Sequence, residues 1–97
     1  MKTPRRRARE LAVQALYQAA VNSIPAAEAA KNIREMAEFG KADEGLFNKL
    51  VIGTADNAAA YMQQIRPLLD RDEKDLSPIE RAVLLMACHE LSAMPET

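Results

Sequence analysis

Thr3-Pro4-Arg5-Arg6-Arg7-Ala8-Arg9-Glu10-Leu11-Ala12-Val13-Gln14-Ala15-Leu16-Tyr17-Gln18-Ala19 is the stretch that decides the fold. Ala8, Leu11, Ala12, Ala15, Leu16 and Ala19 recur at spacings of three and four, which puts them on one stripe of an α-helix. Thr3 suits the cap and Pro4 the first helical position, so the helix is predicted over about Pro4 to Asn22. Val13 and Tyr17 widen its apolar face. Five cations, Lys2, Arg5, Arg6, Arg7 and Arg9, precede the first acid, Glu10. A helix N-terminus is partly positive, and each cation there costs about 0.3–1 kcal/mol. Local stability does not account for such a run, whereas a polyanionic partner such as nucleic acid does.

Outward from this stretch, the pattern stays helical. Asn22-Ser23-Ile24-Pro25 breaks the chain, because Pro25 holds Ile24 extended. Ala26, Ala29, Ala30, Ile33, Met36 and Ala37 predict a second helix from about Pro25 to Phe39, with Gly40 after its end. Asp43 caps a third, in which Leu46, Phe47, Leu50, Val51, Thr54, Ala58, Tyr61, Met62 and Ile65 predict one continuous helix up to Arg66-Pro67. Gly53, inside it, makes room for close approach of another helix. Leu68 and Leu69 continue as a short helix into the charged stretch Asp70 to Asp75, which reads as a solvated linker or part of a protein-binding surface. Ser77-Pro78-Ile79-Glu80 is a capping box with proline at the first helical position. The following run, Ala82 to Cys88, is apolar on nearly every side and reads as a central helix with neighbours all round.

The chain has 97 residues, enough for one small domain. Its apolar fraction is 48%, rich in alanine and leucine with two Tyr, two Phe and no Trp, which favours close-packed helices over a β-sandwich. The net charge is −1, but the first nine residues carry +5, leaving −6 for the rest. A basic tip on an acidic body suits a selective nucleic-acid reader better than a general polycation. The single Cys88 excludes an internal disulfide and fits a reducing compartment. No apolar run approaches the roughly 20 residues of a membrane span. Transit peptides also open Arg-rich, but here the apolar stripe continues from the arginines into a core-type helix, and cytoplasmic placement is expected.

Chemistry-bearing groups are sparse. In a helix Arg5, Arg6 and Arg9 share a face, and Arg7 can pair with Glu10. Guanidinium groups grip phosphate in two-pronged fashion and stack on bases. His89 is the only histidine, and beside Cys88 on an apolar helix it reads as a packed residue. There is no nucleophile–base pairing, no Cys/His metal cluster, no calcium loop in Asp70–Asp75 and no phosphate-cradling glycine loop. No catalytic residue, metal or cofactor is expected, and an enzyme is improbable.

Arg5-Arg6-Arg7-Ala8-Arg9-Glu10-Leu11-Ala12-Val13-Gln14-Ala15-Leu16-Tyr17 closely resembles the opening of the NusB family of bacterial transcription antitermination factors. Leu50-Val51-Ile52-Gly53 with Asn57 resembles the family's middle helix. Leu76, Ile79-Glu80-Arg81-Ala82-Val83-Leu84 and Glu90-Leu91 resemble the central helix of its second subdomain. The resemblance implies an all-α fold, a compact helical bundle of two subdomains: here residues 1–66, then 67–97 as the start of the second. Two further family helices, bearing an Asn-Glu-Ala-type and a Phe-Asn-Gly motif, would follow the equivalent of Pro95 and are absent from this sequence, so the chain reads as C-terminally shortened. The resemblance also implies binding to the boxA element of nascent ribosomal RNA, pairing with NusE, a small-subunit ribosomal protein, and entry into the antitermination complex on RNA polymerase. Lys2, Arg5, Arg6, Arg7 and Arg9 would contact RNA. Tyr17 would lie near that surface, although its position reads more readily as core. Asp75 and Glu80 would face NusE, acids suiting a basic partner. An incompletely covered last helix favours self-association. Two alternatives stay open: the NusB-like recognition domain of an RNA cytosine methyltransferase, and a structural module whose exposed helix completes a partner.

Overall fold

The computed structural model describes residues 3–36, 40–70 and 72–93. Among these residues the fold is all-α, with helices α1 (Pro4–Asn22), α2 (Ala26–Arg34), α3 (Glu44–Asp56), α4 (Ala58–Ile65) and α5 (Pro78–Ala93), and no strand. Lys2, Ala37, Phe39, Pro95 and the residues after Pro95 lie outside the described residues.

The first helix starts where its caps dictate. Thr3 is extended, and its Oγ1 accepts the Arg6 backbone N–H at 3.1 Å, with Pro4 next in the first turn. Such a cap contributes about 1 kcal/mol, which offsets part of the cost of a first turn holding no acid. At the other end Ser23 takes a left-handed φ of 55°, and the Ile24 N–H reaches back to the Ala19 carbonyl at 3.2 Å. The chain thereby reverses before Pro25, which caps α2. That helix ends at Arg34, earlier than the spacing predicts. Met36, expected on its buried stripe, is exposed and closes a tighter turn onto the Ile33 carbonyl. Its last residue, Arg34, donates to the Asn48 side chain of α3 at 3.0 Å.

The predicted third helix is two helices. The Asn57 side-chain amide donates to the Gly53 carbonyl at 2.9 Å, and its backbone N–H turns to Thr54. This is the local competition by which asparagine interrupts helices. Asn57 leaves helical geometry, and Ala58-Ala59-Ala60 restarts the chain as α4. The stripe from Leu46 to Ile65 hid this break because its spacing carries on almost unchanged across the joint.

Two apolar clusters result. Ala8, Leu11, Ala12 and Ala15 of α1 meet Ala29, Ala30 and Ile33 of α2 and Leu46, Phe47, Leu50 and Val51 of α3, joined by Met86 of α5. Tyr61, Met62 and Ile65 of α4 form the second cluster with Leu85 of α5. Small side chains in the first let α1 and α2 lie close, while Phe47 fills the middle. Helix α5 belongs to both clusters and packs on α1, α3 and α4. It is central as expected, yet not covered all round: Ile79, Val83 and Leu91 remain 43%, 47% and 80% exposed. Tyr17, expected in the core, is 40% exposed, because α2 and α5 flank the alanine face of α1 instead.

The contact that seats α5 is His89 against Gly53. A Cβ at Gly53 would collide with His89 Nε2 and Cε1, so the missing side chain is what allows the two helices to cross there. The other ring nitrogen, Nδ1, lies 2.7 Å from the Tyr61 hydroxyl of α4. Three helices thus meet at one buried imidazole. Burial, with the Cys88 thiol nearby, pushes the Tyr61 phenol above its ordinary value of 10.0.

Two consequences are measurable. Alanine at an unobstructed helical glycine stabilises by up to about 1 kcal/mol. Gly53→Ala instead destabilises by about 1–3 kcal/mol, because His89 must move. Urea unfolding at constant m-value reads the sign, and a more stable variant would show that α5 shifts freely. Tyr61→Phe removes a buried hydrogen bond and costs about 1–3 kcal/mol at neutral pH. The Tyr61 phenol binds its proton more tightly folded than unfolded, so its stabilising share holds below pH 10.0 and is lost as pH rises through the folded value. The gap between the native chain and Tyr61→Phe therefore narrows above that pH, and a constant gap across the range would refute the account.

Candidate nucleic-acid interface

Of the cations predicted to bind a polyanion, Arg5, Arg6, Arg7 and Arg9 sit on the first two turns of α1, and the helix divides them. Arg5 and Arg6 are exposed, Arg7 and Arg9 half-buried. Arg6 Nε lies 3.8 Å from Glu10 Oε1, with both side chains well solvated, so this pair restrains little. Arg7 donates its backbone N–H to the Thr3 carbonyl at 3.0 Å, part of the same capped turn. The loop before α3 is tied here as well, the Asp43 N–H donating to the Pro4 carbonyl at 3.0 Å. The start of α1 is therefore anchored at its backbone while Arg5 and Arg6 stand exposed.

Arg9 differs from its neighbours. Its Nε donates to Glu90 Oε1 of α5 at 2.8 Å, in a pair whose side chains are only 32% and 23% exposed. The shared face expected for Arg5, Arg6 and Arg9 is thus drawn at one edge onto α5. Glu90 was not singled out as a site residue from sequence. Eighty-one positions separate it from Arg9, and no helical spacing links residues so far apart.

The acids proposed to meet a protein partner lie at the opposite end of α5. Asp75 closes a single 3₁₀ turn, Glu73–Asp75, and is exposed. Glu80 serves the capping box: its Oε1 accepts the Ser77 N–H at 3.0 Å, while Ser77 Oγ accepts the Glu80 N–H at 3.2 Å. Glu80 also borders an open apolar groove of about 670 Å³ lined by Leu68, Leu69, Leu76, Ile79, Val83 and Leu84, with Asp70 on its rim. The groove and its acidic rim were not foreseen together, because Leu68 and Leu69 reach α5 only after the chain turns at Pro67.

Other reactive groups have structural partners. His89 is buried against Gly53 and Tyr61, and Cys88 Sγ lies 3.6 Å from Gln64 Oε1. Among the described residues no three His, Cys, Asp or Glu side chains gather as metal ligands, and no helix is long and apolar enough to cross a membrane.

A basic first turn on an alanine-rich helix, packed by a capped central helix, is the arrangement that the resemblance to NusB implied. The NusB family model matches residues 6–97. The chain belongs to the NusB family. It is 75% identical over 97 residues to the transcription antitermination protein NusB of Neisseria meningitidis serogroup B, covering 100% of this chain and 69% of that protein. The NusB protein of Neisseria gonorrhoeae matches at the same identity and coverage. That of Laribacter hongkongensis is 47% identical over 97 residues, with 59% of its length covered. Membership of this family of transcription antitermination proteins makes the chain a non-enzymatic one.

Proposed function

We propose that this chain acts in transcription antitermination, binding the boxA element of nascent ribosomal RNA through Lys2, Arg5, Arg6, Arg7 and Arg9 and pairing with NusE through Asp75 and Glu80. The two together join the antitermination complex on RNA polymerase in the cytoplasm. The observation that carries the reading is the run of outward arginines on a first turn without an acid, in a chain 75% identical to proteins named for transcription antitermination. Arginine forks match phosphate and stack on unpaired bases, which is how single-stranded RNA is held. The acidic body limits binding to the tip. Glu80, Asp70 and the groove between them offer a basic ribosomal protein both charge and apolar area. In this reading residues 1–66 form the RNA-bearing subdomain and residues 67–97 open the partner-bearing one.

Fluorescence anisotropy with a boxA RNA and a scrambled control, with and without NusE at two salt concentrations, tests the RNA half. Preference for boxA, strengthened by NusE, is expected. Arg5→Ala with Arg6→Ala weakens binding and lowers the salt slope by roughly 0.7 for each single-strand phosphate that is no longer neutralised. Equal affinity for both RNAs, or no change in the double variant, overturns it. Glu80→Gln tests the partner half. Glutamine preserves the capping box, so the melting temperature holds while NusE binds several-fold more weakly and associates more slowly. Unchanged NusE affinity removes Glu80 from the interface.

A further inference from the structure

We infer that Glu90 is a positioning residue for RNA recognition, fixing the Arg9 guanidinium so that its outer edge is presented to RNA; this rests on the RNA-binding reading above. Arg9 carries five N–H donors in a rigid plane. One of them, on Nε, is committed to Glu90 at 2.8 Å, and the pair is held where α1 packs on α5. The side chain still keeps 32% of its surface in solvent. An arginine bound at Nε has its plane set, while the terminal nitrogens remain able to donate to a phosphate or a base edge.

Arg5 and Arg6 stand in contrast. Both are exposed, and the contact of Arg6 with Glu10 is long and solvated. Such side chains must be ordered when RNA arrives, an entropic cost that falls on binding; Arg9 is ordered on folding. The charge argument runs the other way. Glu90 offsets much of the long-range attraction of Arg9, so the pair adds little to steering. Its contribution is geometric, and it should therefore appear in discrimination between RNAs more than in overall affinity. Glu90 follows His89 directly, and His89 is locked against Gly53 and Tyr61. The carboxylate is thus carried on the residue next to a packed side chain, as a positioning group requires.

The two roles a carboxylate can play beside an RNA site predict opposite signs. If Glu90 only repels phosphate, removing it tightens binding to every RNA. If it positions Arg9, removing it loosens boxA binding selectively. Anisotropy on boxA and scrambled RNA, well below the melting temperature, compares the full chain with Glu90→Gln, Glu90→Ala, Arg9→Ala and the Glu90→Ala/Arg9→Ala pair. Glu90→Gln keeps an acceptor for Arg9 and retains the boxA preference. Glu90→Ala lowers that preference roughly three- to tenfold, the range for ordering one long side chain. In the Arg9→Ala background it lowers it no further.

An unchanged preference in Glu90→Ala, with or without a lower melting temperature, overturns the inference, as does tighter boxA binding or an equal loss without Arg9. Should Glu90→Ala fail to fold, Glu90→Asp, with a carboxylate one methylene short of Arg9, carries the same expectation and the same refutation. A native chain that does not distinguish boxA from scrambled RNA overturns the RNA reading itself, and this is seen before any variant is compared.

Discussion

The seat of α5 on the rest of the molecule depends on its crossing α3 at a residue without a side chain. At Gly53 the His89 ring occupies the space of a Cβ, and its far nitrogen meets the Tyr61 hydroxyl. With the crossing made, Met86 drops into the cluster under α1 and Leu85 into the cluster over α4. The same turn sends Glu90 to Arg9. A bulkier residue at Gly53 would lift α5 from the bundle and separate all three contacts together. The glycine sits within a helix, where it is unfavourable by about 1 kcal/mol relative to alanine, so its presence is explained by what it admits and not by what it stabilises locally.

Elements governed by short-range chemistry could be read from sequence. The Thr3-Pro4 start of α1, its end at Asn22 and the Ser77-Glu80 capping box rest on contacts three or four residues apart, and each formed as its residues dictate. The misreadings came where a polar side chain or the reach of the core decided. Asn57 broke a stripe that periodicity carried straight through, because its amide donates to the Gly53 carbonyl. Met36 continued the spacing of α2 past the last residue of the helix, where it is exposed. Tyr17 has the right character for a core, but the adjoining helices chose the narrower alanine stripe.

The site divides in the same way. The arginine cluster is visible as composition, so Arg5 and Arg6 could be put forward as candidates from the residues alone, and Asp75 and Glu80 only through the resemblance to NusB. Which of the cations are bound to the fold could not be read in this way. Arg9 looked like one more cation until α5 brought Glu90 across 81 positions, whereas the contact of Glu80 with Ser77 spans three residues and was legible as a capping box. The apolar groove needed three separate segments to come together. Helical spacing describes a single cylinder and says nothing of which other cylinder lies beside it.

Charge placement makes the functional reading more than a likeness. The N-terminus of α1 concentrates cations where the helix dipole opposes them, and no acid in that turn relieves them. Thr3 recovers some of that energy through its cap and the alanine face recovers more through burial, but neither needs an arginine at position 5 or 6. Residues that destabilise the turn they stand on, and that the core does not use, are most simply explained by a ligand that reverses the sign of their contribution. A polyanion does so: the same dipole and the same guanidinium groups that repel one another in the free protein both attract phosphate. If the proposed RNA site is right, the tip of α1 is less stable alone than with RNA bound, and the packing of α1 behind it holds that unfavourable turn in place.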